Sequence, residues 1–150
     1  MSDRYGVNSA MIGGDGTGDT AITIHTQAAL TYADTDEHTL ETAPEELTYY
    51  KNIKFRIPVT YTGNPNDVNL TIGVATSDIE LTGAQALAQF SSDFWTTKII
   101  DLNTSGGTST FQELLEIDAS EINGQYVYTK YQYSGDPGND PSVGVILSKV

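Results

Sequence analysis

The residues able to do chemistry in this 150-residue chain are carboxylates, tyrosines and two histidines, and cysteine is absent. A hard divalent cation needs several oxygen ligands from a compact loop, and three stretches carry enough of them to be considered. They are Gly14-Asp15-Gly16-Thr17-Gly18-Asp19, Asp34-Thr35-Asp36-Glu37-His38 and Gly135-Asp136-Pro137-Gly138-Asn139-Asp140. The third makes Asp136, Asn139 and Asp140 the calcium candidates. None has the full spacing of an EF-hand loop, and ordinary turn formation by Asp and Asn predicts the same residues. Zinc has no ligand set here, because there is no Cys and no close pair of His. Acid–base catalysis needs two carboxylates in separated environments or a histidine oriented by one. Glu113 with Glu116 or Glu121 could form such a pair, but no nucleophile motif accompanies it. The sequence implies no cofactor and no enzyme.

Tyr126, Tyr128, Tyr131 and Tyr133 form the other candidate surface. Successive residues of a strand point to opposite faces, so Tyr126 and Tyr128 share one side and Tyr131 and Tyr133 the other. One side packs a core, and the other is expected to present aromatic area for sugar or protein contact. Tyr131 and Tyr133 are thus partner-binding candidates, together with Arg4, Tyr5, Met11 and Ile12 near the N-terminus.

Composition narrows the partners. With 20 acidic residues against 7 basic ones the formal charge is −13, and such a surface repels phosphate backbones and anionic lipid. Nucleic acid and membrane are not expected partners. No apolar run approaches the roughly 20 residues of a transmembrane helix. The first residues lack the basic and apolar regions of a secretory signal, which predicts synthesis in a cytoplasm. Stability has to come from packing and assembly, since no disulfide is possible.

The elements that would position these residues are strands. Residues 1 to 20 are glycine-rich with scattered apolar side chains, too few to offset the entropy of ordering, and read as a flexible arm ahead of one domain over 21–150. From Ala21 onward, Ile22, Ile24 and Thr26 alternate with Thr23 and His25, which places His25 on the face opposite the isoleucines. Thr42-Ala43-Pro44-Glu45 resembles the start of a helical turn. Ile53, Phe55, Ile57, Val59 and Tyr61 line one face of a half-buried strand, and Pro58 marks an edge or a bulge in it. After the turn Gly63–Asp67, the residues Val68, Leu70, Ile72 and Val74 resume the alternation, which predicts a hairpin. Gly83–Ala88 suits a short helix by propensity but lies between strand-like runs, so it stays undecided. Phe94 to Leu102 reads as a strand, and Phe111 to Ile117 as a strand in competition with a capping box at Ser109 and Gln112. A second hairpin is expected at the end, from the tyrosine-rich strand to Ser142–Val150 across the Gly135–Pro141 turn. Seven or eight short strands separated by Gly, Pro, Asn and Asp predict an all-β antiparallel β-sandwich or jelly roll with an extended N-terminal arm. A closed barrel is the alternative.

The run Ile117-Asp118-Ala119-Ser120-Glu121-Ile122-Asn123-Gly124-Gln125-Tyr126-Val127-Tyr128, followed by a Tyr-rich strand, a Gly/Pro turn and Ser-Val-Gly-Val-Ile-Leu, resembles the end of capsid cement, or decoration, proteins of tailed bacteriophages. The resemblance covers residues 53 to 150 and is one of strand and turn pattern. It implies a non-enzymatic β-sandwich on the capsid exterior that bridges major capsid proteins, assembles as a dimer or trimer, and in some cases uses an extended N-terminal arm. The acidic segment Asp34 to Glu46 and the tyrosine-rich strand depart from the family pattern. A carbohydrate-binding module or a tail-fibre or adhesin domain is the competing expectation.

Overall fold

The computed structural model describes residues 20–40, 45–46, 53–63, 67–102, 107–117 and 126–149. In chain order its elements are β1 (Thr20–Ala29), β2 (His38–Thr39), β3 (Glu45–Glu46), β4 (Ile53–Thr62), β5 (Asn69–Ser77), α1 (Gly83–Gln89), a 3-10 turn (Ser92–Phe94), β6 (Thr96–Asp101), β7 (Thr108–Ile117), β8 (Tyr126–Tyr133) and β9 (Ser142–Lys149). The strands form two antiparallel sheets, ordered β1-β9-β4-β7 and β2-β8-β5-β6, with β3 also paired to β8. This is the all-β sandwich that the period-2 pattern predicts.

The core lies between the sheets and is built from one face of each long strand. Ile53, Phe55, Ile57, Val59 and Tyr61 of β4 are all 0–1% exposed. They meet Leu70, Ile72 and Val74 of β5, Ile100 of β6, Val127 and Tyr133 of β8, and Val143, Val145 and Leu147 of β9. A second, smaller cluster sits on the outer side of the β8 sheet. There Ala86 of α1 and Trp95 pack on Ala75 and Tyr128, with Phe90 and Phe94 partly buried beside them. No helix among the described residues is long and apolar enough to cross a membrane.

Both expected hairpins are absent. β4 and β5 lie in different sheets, and so do β8 and β9, so the two turn-rich connections arch from one sheet to the other. The alternating pattern declares which face of a strand is buried, and either arrangement buries that face. A connector of several residues can span the ~10 Å between packed sheets as readily as it can close a hairpin. Thr20, near the start of the described chain, therefore pairs with Lys149, near its end.

Four local expectations are corrected. Pro58 marks neither an edge nor a bulge: β4 lies between β9 and β7, and its pairing with β7 runs unbroken past Pro58↔Gln112. On the β9 side the ladder lapses at Ile57 and Pro58 and resumes with the same register at Val59↔Val143. A missing N–H interrupts hydrogen bonding there without shifting the strand. His25 is not on the outer face, because register shifts on either side of it bring it opposite buried Val145. A bulge inserts one residue and reverses the alternation that follows. Its Nε2 is buried without a hydrogen-bond partner, and desolvation lowers its pKa. Glu45 and Glu46, expected in a helical turn, form β3 instead, while Thr42 to Pro44 lie outside the described residues. The Ser109/Gln112 spacing belongs to a strand, whereas the capping box that does form is Thr82 with Gln85, starting the helix at Gly83 that propensity left undecided.

Two outcomes follow. A Cβ at Gly144 would stand 3.1–3.2 Å from Gln27 Cβ and from the Gln27 backbone, which cannot swing aside as a side chain tip can. Gly144→Ala is expected to cost about 1–3 kcal/mol in urea unfolding, against about 2–5 kcal/mol for the cavity-forming Ile57→Ala. For His25 the folded pKa lies below the unfolded one, so the stability it contributes is complete above pH ~6.5 and is lost as pH falls through its depressed folded value. Melting temperatures measured from pH 7.5 to 5 should fall more steeply for the native chain than for His25→Gln.

Candidate functional site

The acidic segment that follows β1 wraps the open edge of β8, and with the loop between β8 and β9 it forms a cap at one end of the sandwich. Leu30 N–H donates to Pro141 O at 2.9 Å, and Tyr32 N–H donates to Asp140 Oδ1 at 3.1 Å. The Tyr133 hydroxyl donates to Leu30 O from within the core. Further on, Gln132 Nε2 donates to Thr35 O at 2.8 Å, and β2 pairs His38 with Tyr131 and Thr39 with Lys130. Asp34 closes the segment on itself: its Oδ1 accepts from Asp36 N–H at 2.9 Å and lies 2.7 Å from His38 Nε2. The His38 contact first, and the Asp36 amide second, hold the Asp34 carboxyl below its usual range.

Lys130 joins this strap to the rest of the sheet. Its side chain is buried and its Nζ is paired with Glu37, while the ammonium stands 4.5 Å from the centre of the Trp95 ring. A Cβ at the facing Gly73 would come within 2.9 Å of Lys130 Cγ and Cε, so the missing side chain is the space the lysine stem occupies. An ammonium over an aromatic face, with a carboxylate in contact, is how a charge is tolerated next to a core.

The tyrosines divide as strand geometry requires, but neither side is left open. Tyr133 is 1% exposed and Tyr131 is half-buried against the main core, so Tyr133 is a core residue and not a surface contact for a partner. Tyr131 stacks on His38 at 5.5 Å, and burial first, then the charges of Asp34 and Asp140, push its phenol pKa up. On the other face Tyr128 meets Phe90 edge-on at 5.3 Å, accepts from Leu81 N–H at 2.8 Å and donates to Ile79 O. The aromatic patch expected on this strand is therefore covered by α1 and the chain that follows it.

The calcium candidates are engaged one by one. Asp136 Oδ1 accepts from Gly138 N–H at 2.9 Å, a turn that needs the positive φ of Gly138. Asn139 Nδ2 donates to Thr62 O at 2.8 Å, and Asp140 accepts from Tyr32. Tyr61 OH donates to Pro137 O at 2.6 Å from below. These side chains fasten the loop to β4 and to the strap, and no group of three or more His, Cys, Asp or Glu that could hold a metal ion is present among the described residues. Glu113 is 3.4 Å from Lys98, and Glu116 lies opposite Lys54, while Glu121 is outside the described residues. Arg4, Tyr5, Met11 and Ile12 are also outside them, as is the Gly14–Asp19 loop. The residues that sequence reasoning missed are Lys130 and Trp95, while Glu37, named only within an oxygen-rich loop, pairs with Lys130 instead. A lone lysine inside a run of tyrosine, valine and threonine was a signal, but its glycine partner 57 positions earlier was not visible without the pairing.

The strap predicts a contrast at Lys130. Lys130→Ala loses both the packing over Gly73 and Trp95 and the ion pair, and should cost roughly 2 kcal/mol or more. Lys130→Met keeps the stem and should cost under about 1.5 kcal/mol, because Glu37 is 42% exposed and regains water. Equal losses in urea unfolding would show that the charge and not the packing dominates.

No protein-family model matches the chain, and no curated protein matches it. Solved structures do. A structure of the infectious bursal disease virus Gt strain matches with a TM-score of 0.51 and 14% identity, over 88% of this chain and 32% of the other. A mutant VP2 protein of the same virus in T=1 particles matches with a TM-score of 0.51 and 14% identity, over 87% of this chain and 31% of that one. The chain thus shares its β-sandwich fold with part of those viral proteins and spans about a third of their length.

Proposed function

We propose that this protein is a structural component of a virion that decorates a phage capsid from outside and bridges neighbouring major capsid proteins. The observation that carries the reading is the shared fold: a sandwich that aligns over nearly nine-tenths of its length with part of a viral particle protein. The chemistry of the cap agrees with it, since the polar side chains most able to bind or react are engaged in holding loops to strands. A charge of −13 suits an outer surface, away from a nucleic-acid interior. In this reading the N-terminal segment is the part that engages the shell. It contains Arg4, Tyr5, Met11 and Ile12 in an otherwise glycine-rich sequence that buries little by itself, so contacts to a capsid subunit would supply the free energy of ordering it.

The test is to mix full-length protein, and a form lacking residues 1–19, with undecorated particles of the virus that carries the gene, and to measure occupancy after sedimentation. The deletion stops before β1, so it should change stability by no more than about 0.5 kcal/mol while lowering occupancy. Equal occupancy of both forms would remove the arm from the mechanism. Failure of both to bind would overturn the virion reading in favour of a sugar-binding or adhesin domain, which glycan-array binding would then check.

A further inference from the structure

The ends of the two sheets are not treated alike. β1 is interrupted by two register shifts, the outer edge of β8 is covered by β2 and β3, and β6 is only six residues long and carries Lys98. These are the usual ways of keeping a sheet edge from pairing with another chain. β7 has no register shift against β4, no covering strand among the described residues and no Lys, and its only charges are Glu113 and Glu116. It is ten residues long, contains no Pro, Gly, Lys or Arg, and pairs with β4 in one unbroken register from Ile53↔Ile117 to Thr62↔Thr108. Among the described residues no strand pairs with its other side. Thr60 and Thr62 of β4 reach Thr110 and Thr108 of β7 at 3.3 and 2.8 Å, which ties this end of the strand to its neighbour. Leu114, on the outer face near the far end of the strand, is 54% exposed.

We propose that β7 pairs with β7 of a second copy of this chain, antiparallel about a two-fold axis, so that the β1-β9-β4-β7 sheets of two copies become one. Charge selects the place. Two copies at −13 repel over most of their surface, but this border is locally balanced: Glu113 has Lys98, Glu116 faces Lys54 and Leu114 faces Arg56. Of the five Lys and Arg residues among the described residues, three, Lys54, Arg56 and Lys98, flank this one strand. Register is constrained as well, because the outer face of one sheet must continue as the outer face of the next. An axis at residue 113 would set Glu113 against Glu113 of the second copy. An axis at Leu114 sets the two exposed leucines against each other, Gln112 against Glu116 and Glu113 against Leu115, with no carboxylate opposite another. This inference does not rest on the virion reading.

Sedimentation equilibrium of the full chain over a dilution series should give twice the 16.2 kDa chain mass at the higher concentrations. Leu114→Lys places a charge on the axis and should leave a monomer with an unchanged far-ultraviolet spectrum. Because the native chain has no cysteine, Leu114→Cys offers a second reading that does not depend on that variant folding: on oxidation it should migrate as a disulfide-linked dimer without reductant, and Glu113→Cys should not. A native chain that stays monomeric throughout overturns the proposal. So does a dimer that tolerates Leu114→Lys and yields no Leu114→Cys cross-link.

Discussion

β8 has to be covered on three sides, and much of the molecule outside the main core exists to cover it. The strand runs Tyr-Val-Tyr-Thr-Lys-Tyr-Gln-Tyr, too apolar on either face to meet water and too polar at Lys130 to be left in a hydrocarbon core. The opposing sheet takes Val127 and Tyr133. The helix and Trp95 take Tyr128, and the acidic strap takes the edge. The Lys130 ammonium is where these coverings meet, touching Glu37 from the strap and the Trp95 ring from the outer cluster. A buried lysine is a poor source of net stability, because desolvation offsets the attraction it gains. Its two contacts instead tie the strap to the outer aromatic cluster across the sheet.

How much of this could be read in advance depends on the kind of signal. Alternation at Ile53 to Tyr61 gave a strand and its buried face correctly, since burial of every second side chain is a local property. Pairing was not legible. Gly63–Asp67 and Gly135–Pro141 look like hairpin turns, and the same Gly, Pro, Asn and Asp chemistry serves an arch between sheets. His25 was misplaced for a related reason, because a bulge changes parity without leaving a mark in residue type. Asp136, Asn139 and Asp140 were correctly seen as oxygen-rich and turn-forming. Their actual hydrogen-bond partners, Gly138, Thr62 and Tyr32, come in two cases from distant parts of the chain. The tyrosines were read onto the right faces, but the cover over Tyr128 comes from α1, the one segment whose state the sequence left open.

The likeness to viral particle proteins at 14% identity fits this division between local and global signals. A sandwich needs apolar residues at alternate positions and little else, so the fold persists when almost every identity has changed.

The place of β9 carries a consequence for how the protein is made. It lies between β1 and β4, and without it β1 has no partner in the sheet and β4 keeps only β7. β1 and β4 are synthesised first and then wait, each with an unpaired side, until residues 142–149 have left the ribosome. Pairing Thr20 with Lys149 closes a loop of almost the whole chain, and such distant pairing is slow to form. The β1-β9-β4-β7 sheet therefore cannot be completed strand by strand in chain order. A nascent chain halted before Ser142 leaves β1 unpaired and one side of β4 open, which makes those edges ready substrates for chaperones and for aggregation.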